Sequence, residues 1–464
     1  IKKAIKKDEK DAYSLLALAD VYLKADSLKQ AEMTIISAKD INKKIPDGFV
    51  ALGDLYFIQK IYELARMNYE EALKLDENLI EARIKLATAY YKLANAEPDQ
   101  DLSNELFSRS LKEWNTVTKE DSKNATAFFE QGKIFFLADK YGEAAKSFYQ
   151  YMLLRPEGWK GLWYLAQSSF KIGQYDSAVK QLEIVKNKID TIQDQATLMI
   201  AQSQFELKKY KECALNYSLS KKAADANPNL KFEPVDLERW GYAAILSGDT
   251  VTAIKNFTEL INNDNKKCNL MFRFGYLLRE RKQYKESIVM FRKLIAAECP
   301  DSASILNRIK ARLLIGMSFY SDDKPDSAII ALKEFIALDP NNLYGHIMLA
   351  NSFAALKLTD SSKNTLLEAL EIGKQNPNTS KRDLENVLSE LCRIYIEAKE
   401  YNNLMKYSKM WTEVNSESVY SYLYTAVAYQ GNADKDNACK YYREVLKRDK
   451  DNKTAKQNLK TLGC

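Results

Sequence analysis

Residues 132–156 read GKIFFLADKYGEAAKSFYQYMLLRP. A small residue, Gly132, is followed three positions later by Phe135, then by a break, by Ala144 twelve positions on, by Phe148 four further, and by Pro156. The same skeleton returns in GDLYFIQKIYELARMNYEEALKLD from Gly53 and in GMSFYSDDKPDSAIIALKEFIALDP from Gly316. Aligned on its small residue, it recurs at Ala19, Gly53, Ala87, Gly132, Ala166, Ala201, Gly241, Gly275, Gly316, Ala350, Cys392 and Ala426. Six of the eleven intervals are 34 residues, so the longer ones are insertions between intact units.

Each unit reads as two helices. An aromatic follows the small slot by three at Tyr22, Tyr56, Tyr90, Phe135, Phe319, Phe353, Tyr395 and Tyr429. The second helix carries its own small residue at Ala31, Ala65, Ala144, Ala178, Ala253, Ala328 and Ala438, with a larger apolar residue four later, such as Tyr69, Phe148, Phe257, Phe291 or Tyr442. Spacings of three and four put one buried stripe on each helix. Small residues let the paired helices approach closely while the rings fill the space beside them. Ser169, Gln204 and Ala244 replace the aromatic and Leu404 replaces a small residue, which predicts looser packing in those units. Pro156 and Pro340 end their second helices, where a missing N–H does least harm.

These residues and this period resemble the tetratricopeptide repeat (TPR) family. The resemblance extends over nearly the whole chain and implies an all-α fold: a right-handed α-solenoid of about twelve TPR-type helical hairpins with a C-terminal capping helix. The expected units start near residues 12, 46, 80, 125, 159, 194, 234, 268, 309, 343, 385 and 419 and run to 451. Residues 1–11 read as the end of a preceding truncated repeat, with Ile1 and Ala4 in core slots, so at least one further helix is expected upstream. Residues 452–464 read as the cap, with Ala455, Leu459 and Leu462 on one face and a lysine-rich remainder suited to a solvated end. NAEPDQDL from Asn95 reads as a loop leading into a longer helix that contains Trp114. AADANPNLKFEP from Ala223 and GKQNPNTSKRD from Gly373 read as polar linkers.

Composition narrows the function classes. A chain of 464 residues is too long for one compact core, which fits an array. With 69 basic and 63 acidic residues interleaved, the net +6 is too weak for a nucleic-acid or membrane-surface protein. No apolar run reaches the ~18 residues that a membrane span needs. Phosphate-binding glycine loops and zinc-protease motifs are missing, and His346 is the single histidine. It reads as a partly packed surface residue, and no nucleophile motif accompanies it. We therefore expect no enzyme, no cofactor and no metal site.

The six cysteines divide into two groups. Cys213 and Cys392 occupy small packing slots and read as buried, inert thiols. Cys268 and Cys299 sit at the start and end of antiparallel neighbours. Cys439 begins the last second helix, and Cys464 ends the cap that runs back against it. Both are near-neighbour placements, which points to two disulfides and an oxidising compartment.

In the family that the chain resembles, first helices line a concave groove. Ligand contacts there fall three before the small slot, one after it and four after it. Carried onto this chain, those slots hold Phe129, Lys133, Phe136, Trp163, Gln167, Phe170, Phe205, Tyr242, Phe272, Tyr276 and Tyr320. The family's clamp for a C-terminal carboxylate needs basic residues where this chain has Leu16, Val50, Ile84, Phe129, Trp163, Leu198, Glu238, Phe272, Leu313, Ile347, Ser389 and Leu423. None is basic, so that role is not expected. The reading that follows is a non-catalytic scaffold or adaptor holding a protein or peptide partner in an aromatic groove. By fold analogy it belongs to a periplasmic or cell-envelope complex for secretion or outer-membrane assembly. The alternatives are a regulatory or sensor module of a larger, cytoplasmic or envelope, assembly, and RNA binding, for which the chain lacks a basic face.

Overall fold

The computed structural model describes residues 11–264 and 266–464. The expected core slots at Ile1 and Ala4 lie outside the described residues. Among the described residues there are twenty-five α-helices and no strand. The chain divides into two compact units, residues 1–247 and 248–464.

Unit 1 contains six antiparallel hairpins and one further first helix. In order they are α1 (Ala12–Lys24) with α2 (Leu28–Ile41), α3 (Pro46–Ile58) with α4 (Tyr62–Leu75), and α5 (Ile80–Ala96) with α6 (Gln100–Glu120). Then come α7 (Ala125–Leu137) with α8 (Tyr141–Leu154), α9 (Trp159–Lys171) with α10 (Tyr175–Lys186), α11 (Gln193–Glu206) with α12 (Tyr210–Ala226), and α13 (Pro234–Ser247). Unit 2 opens on a second helix, α14 (Thr250–Asn263). It continues with α15 (Cys268–Glu280) and α16 (Tyr284–Ala296), α17 (Ser302–Ser321) and α18 (Pro325–Leu338), and α19 (Leu343–Ala355) and α20 (Thr359–Gln375). The last pairs are α21 (Lys381–Glu397) with α22 (Tyr401–Val414) and α23 (Val419–Gly431) with α24 (Lys435–Arg448), before the terminal α25 (Lys453–Leu462).

The quoted stretch shows how a hairpin is made. Asn124 caps α7 by accepting from the Ala127 N–H at 3.1 Å, one of the donors a helix start leaves unpaired. At the other end Asp139 enters the left-handed region at φ 56, and the Lys140 N–H reaches back to the Phe135 carbonyl at 2.9 Å. That six-residue closure reverses the chain within three residues and satisfies the exposed carbonyls. The same left-handed residue, seven after the small slot, appears at Asp26, Lys60, Gly173, Lys208, Gly248, Lys282, Asp323, Lys357, Lys399 and Ala433.

Between the helices, the small slot meets the large residue sixteen positions on. A Cβ added at Gly132 would lie 2.9 Å from the Phe148 ring. At Gly275 it would lie 2.7 Å from Phe291, at Gly316 2.6 Å from Leu332, and at Gly53 2.4 Å from Tyr69. Where the second helix's small residue carries a hydroxyl, that group ties the pair further. Ser287 donates to the Gly275 carbonyl at 2.8 Å, Ser362 to Ala350 at 2.9 Å and Ser110 to Ala87 at 2.7 Å. The irregular slots are not loose. Ser169 is 2% exposed, and Ala244 and Leu404 are fully buried, Leu404 beside the stacked Tyr395 and Tyr407 rings.

Most of the extra length between units goes into helix rather than linker. Helix α5 continues through Asn95 to Ala96, and Asp99 caps α6 by accepting from the Leu102 N–H at 2.9 Å. Ala223–Ala226 belong to α12, and Gly373–Gln375 to α20. Asp301 and Ser380 cap α17 and α21 ahead of the expected starts near 309 and 385. These are ordinary N-caps, each followed by helix-compatible residues, so the insertion is absorbed as extra turns.

Within each unit, first helices also touch the first helix of the next pair: α1 with α3, α7 with α9, α11 with α13, α15 with α17, α17 with α19, and α21 with α23. Successive second helices make no comparable approach among the described residues. First helices are therefore the tighter, inner layer of each unit. The terminal α25 buries Ala455 and packs Leu459 and Leu462 beside Tyr442, whose hydroxyl accepts from the Asn458 amide at 2.9 Å.

Two substitutions test this geometry in opposite directions. Gly53→Ala gains helix propensity of about 1 kcal/mol, but its methyl meets a Tyr69 ring that is 1% exposed and anchored by a 2.8 Å bond to Asp54. Overpacking of that kind costs about 1–3 kcal/mol, so the urea midpoint should fall. Ala433→Gly relieves a non-glycine left-handed residue at a turn and should raise the midpoint by up to about 1 kcal/mol equivalent.

Candidate binding surface

The first-helix positions proposed for a groove do not behave alike. In unit 1 the rings interlock with one another. Phe129 packs at 5.1–6.0 Å from Tyr151, Phe148 and Tyr164, and Phe136 lies 5.3 Å from Tyr141 and 5.4 Å from Tyr164. Tyr164 in turn stacks on Phe148 at 5.1 Å and joins the fourth hairpin to the fifth. Trp163 is half-buried between the same cluster and the core of the fifth hairpin. Phe170 and Phe205 meet the first residue of the following helix, Tyr175 at 5.8 Å and Tyr210 at 6.2 Å, across the tight turn. Tyr242 is 8% exposed and therefore offers no ring to a ligand, contrary to its slot.

The polar slots in unit 1 are mostly engaged. Lys133 sits 2.7 Å from Glu130 with its ammonium 4.8 Å from the Tyr91 ring centre. Burial works against its charge and the Glu130 carboxylate outweighs it, so its pKa is raised. Gln167 makes only a long 3.5 Å contact to the Trp163 carbonyl, which leaves its amide available.

Further polar links join successive first helices. Lys85 on α5 bonds Asp54 on α3 at 2.6 Å, and the Tyr69 hydroxyl donates to the same carboxylate at 2.8 Å. Burial raises the Asp54 pKa, with Lys85 pulling the other way. On α11 and α13, Gln202 donates to the buried Asp236 at 2.8 Å, and Arg239 meets Glu206 at 3.0 Å beneath the Phe205 ring. The residues of these pairs lie 31 to 34 positions apart, one repeat or slightly less, and sequence reading overlooked them. A carboxylate paired with a cation or an amide at that spacing on first helices is the signal that would have found them.

Unit 2 presents the open rings. Tyr276 on α15 is 45% exposed and Tyr320 on the adjoining α17 is 37% exposed, while Phe272 is half-buried 6.1 Å from Phe291. His346 is buried rather than superficial: its Nε2 lies 2.9 Å from the Pro340 carbonyl, and Nδ1 is 3.7 Å from Glu368. That bond anchors α19 to the end of α18.

Cys268 and Cys299 have Cα atoms 6.5 Å apart, and Cys439 and Cys464 6.1 Å apart, each with the sulfurs paired. Both separations lie within disulfide reach. Cys213 and Cys392 are free and buried, and desolvation pushes each thiol up to about 12. Among the described residues no three His, Cys, Asp or Glu side chains converge to hold a metal, and no helix is long and apolar enough to cross a membrane.

Tetratricopeptide repeat profiles match residues 310–342 and 420–452, and a further TPR repeat profile matches residues 53–93. The chain is a tetratricopeptide repeat protein. The TPR family is in general a protein-interaction fold, and that coarse role extends to this chain. No curated protein matches it. Among solved structures it is similar to YrrB, described as a TPR protein with an unusual peptide-binding site (16% identity, TM-score 0.34, 40% of this chain and 90% of that one). MamA is similar at 16% identity and TM-score 0.34 over 40% and 93% of the two chains. The Naa15/Naa10 structure bound to HypK-THB covers 96% of this chain and 72% of that one, at 15% identity and TM-score 0.32. Overlaps at these scores carry no argument about function.

In this TPR chain the two free cysteines sit at helix-contact slots, so native protein should resist iodoacetamide at both Cys213 and Cys392 at pH 8, where a thiol raised to about 12 is almost wholly protonated. Labelling should appear only in denaturant. Mass spectrometry showing rapid native modification of either residue would refute this assignment.

Proposed function

We propose that this TPR protein is a non-catalytic scaffold or adaptor that binds a protein or peptide segment on its first-helix layer and supports assembly of a larger complex. The observation that carries this reading is the pair of half-exposed rings, Tyr276 and Tyr320, on two first helices in direct contact. Tyrosine offers a large apolar body with a polar tip, and such rings dominate binding energy when a partner buries them. The Gln167 amide and the half-buried Trp163 add a second point in unit 1 where a peptide backbone finds a hydrogen-bond donor beside an aromatic. Phe129 and Phe136 interlock beside that point, and Lys133, Phe170 and Phe205 lie on first helices of the same unit, while Phe272 shares α15 with Tyr276 in unit 2.

The two cysteine pairs favour an oxidising compartment, and hence a periplasmic or cell-envelope setting for the complex, with secretion or outer-membrane assembly as the fold-level analogy. A thiol count on protein from its native source, denatured without reductant, should return two free thiols. Six would remove the envelope reading.

The groove is tested by replacing Tyr276 and Tyr320 together with alanine. Both rings are substantially exposed, so the melting temperature should change little, whereas affinity for the co-purifying partner should fall at least about tenfold. An unchanged partner list from a folded variant would exclude this surface.

A further inference from the structure

A cavity of about 330 Å³ opens on the second-helix side of unit 2. It lies between α16 and α18, with α17 as its floor. Ile315 and Phe319 form the base, Ile330 is a 64% exposed rim, and Arg292, Arg312 and Glu334 stand around it. Second helices splay apart in this fold, so a gap above a first helix is expected. Two guanidiniums around an apolar base are not. Arg292 lies over the Phe319 ring at 5.8 Å, and Arg312 donates one N–H to the Arg308 carbonyl of its own helix at 2.9 Å. Neither has a carboxylate in ion-pair reach among the described residues, and Glu334 has no cation.

We infer that this cleft is a second docking site, separate from the first-helix surface, for an extended peptide segment carrying a large apolar side chain flanked by carboxylates. The charge decides the class: the two guanidiniums exceed the single Glu334, and their donors suit carboxylate oxygens. The cavity has room for a large apolar side chain together with the groups that flank it. Exposed apolar residues continue beyond it on both sides. Val289 is on the Arg292 stripe of α16 at 54% exposed, and Ile305 is two turns before Arg312 on α17 at 46% exposed. From Ile305 to Phe319 the helix rises about 21 Å, which about six extended residues span. A compact small molecule would use neither flank.

The probe is a fluorescein-labelled, end-blocked peptide, Leu-Asp-Phe-Glu-Leu-Ser, measured by anisotropy against the full chain at low salt beside its Leu-Lys-Phe-Lys-Leu-Ser counterpart. The acidic probe should bind and the basic one should not. Arg292→Gln with Arg312→Gln should weaken the acidic probe at least about tenfold, Glu334→Gln should tighten it, and Tyr276→Ala with Tyr320→Ala should leave it unchanged. Ile330→Ser, at an exposed rim, should weaken it with no change in melting temperature. Equal binding of both probes, indifference to the arginine pair in a folded variant, or no binding by the acidic probe would each overturn the assignment. So would arginine-dependent uptake of laurate in place of the peptide.

Discussion

Everything in this chain depends on two helices being able to touch at one point. A glycine or alanine on the first helix has no side chain beyond a Cβ, and in most hairpins a large residue sixteen positions later fills what is left. That contact fixes the distance between the helices, and the left-handed residue seven positions after the small slot fixes their direction. Neither device works alone. A tight turn without the small slot would bring backbones together that side chains then force apart. A small slot without the turn would leave the large residue facing no partner. The repeat supplies both, which is why the paired helices persist on either side of the insertions.

This contact also explains what could be read without coordinates. Small, aromatic and large apolar residues at fixed offsets are packing residues, so the all-α array was visible in them from the first aligned stretch. The stretch from Asn95 does lead through a short loop into a longer helix with Trp114, whereas those from Ala223 and Gly373, which look like linkers by composition, each begin inside a helix. In Ser380 the same polarity is a helix cap, and the residues behind it are ordinary helix formers. Composition cannot separate a serine that ends structure from one that begins it; the N–H it receives does. The looseness expected at Ser169, Ala244 and Leu404 failed for a related reason. A slot's occupant was judged alone, whereas neighbours such as Tyr395 and Tyr407 close around it.

The binding surface was harder to read, and the cause is physical. An aromatic on a first helix serves the core or the groove according to what faces it across the next helix. Phe129 and Phe136 face Tyr164 and become part of a ring cluster, while Tyr276 and Tyr320 face nothing comparable and stay open. Phe136 and Tyr320 even hold the same slot, four after the small residue. The difference lies in the neighbour one repeat away, which a reading of single units cannot weigh. The polar ladder of Asp54 with Lys85 and of Gln202 with Asp236 escaped notice by the same route, since each partner looks like a solvated surface residue until the repeats are stacked.

Stacking first helices more tightly than second helices has a consequence for where ligands go. The inner layer offers closely set side chains with little free volume, so its ligands must lie along it and use rings and amides already in place. The outer layer offers gaps between its more widely set helices. The pair of α17 and α18 differs because Asp301 starts its first helix early, giving α17 twenty residues. The added turns put Ile305 and Arg308 on the stripe that continues through Arg312, and Arg308 bonds the Ala297 carbonyl at the end of α16. The insertion has lengthened a wall, and a longer wall between two splayed helices is what turns a gap into a cleft.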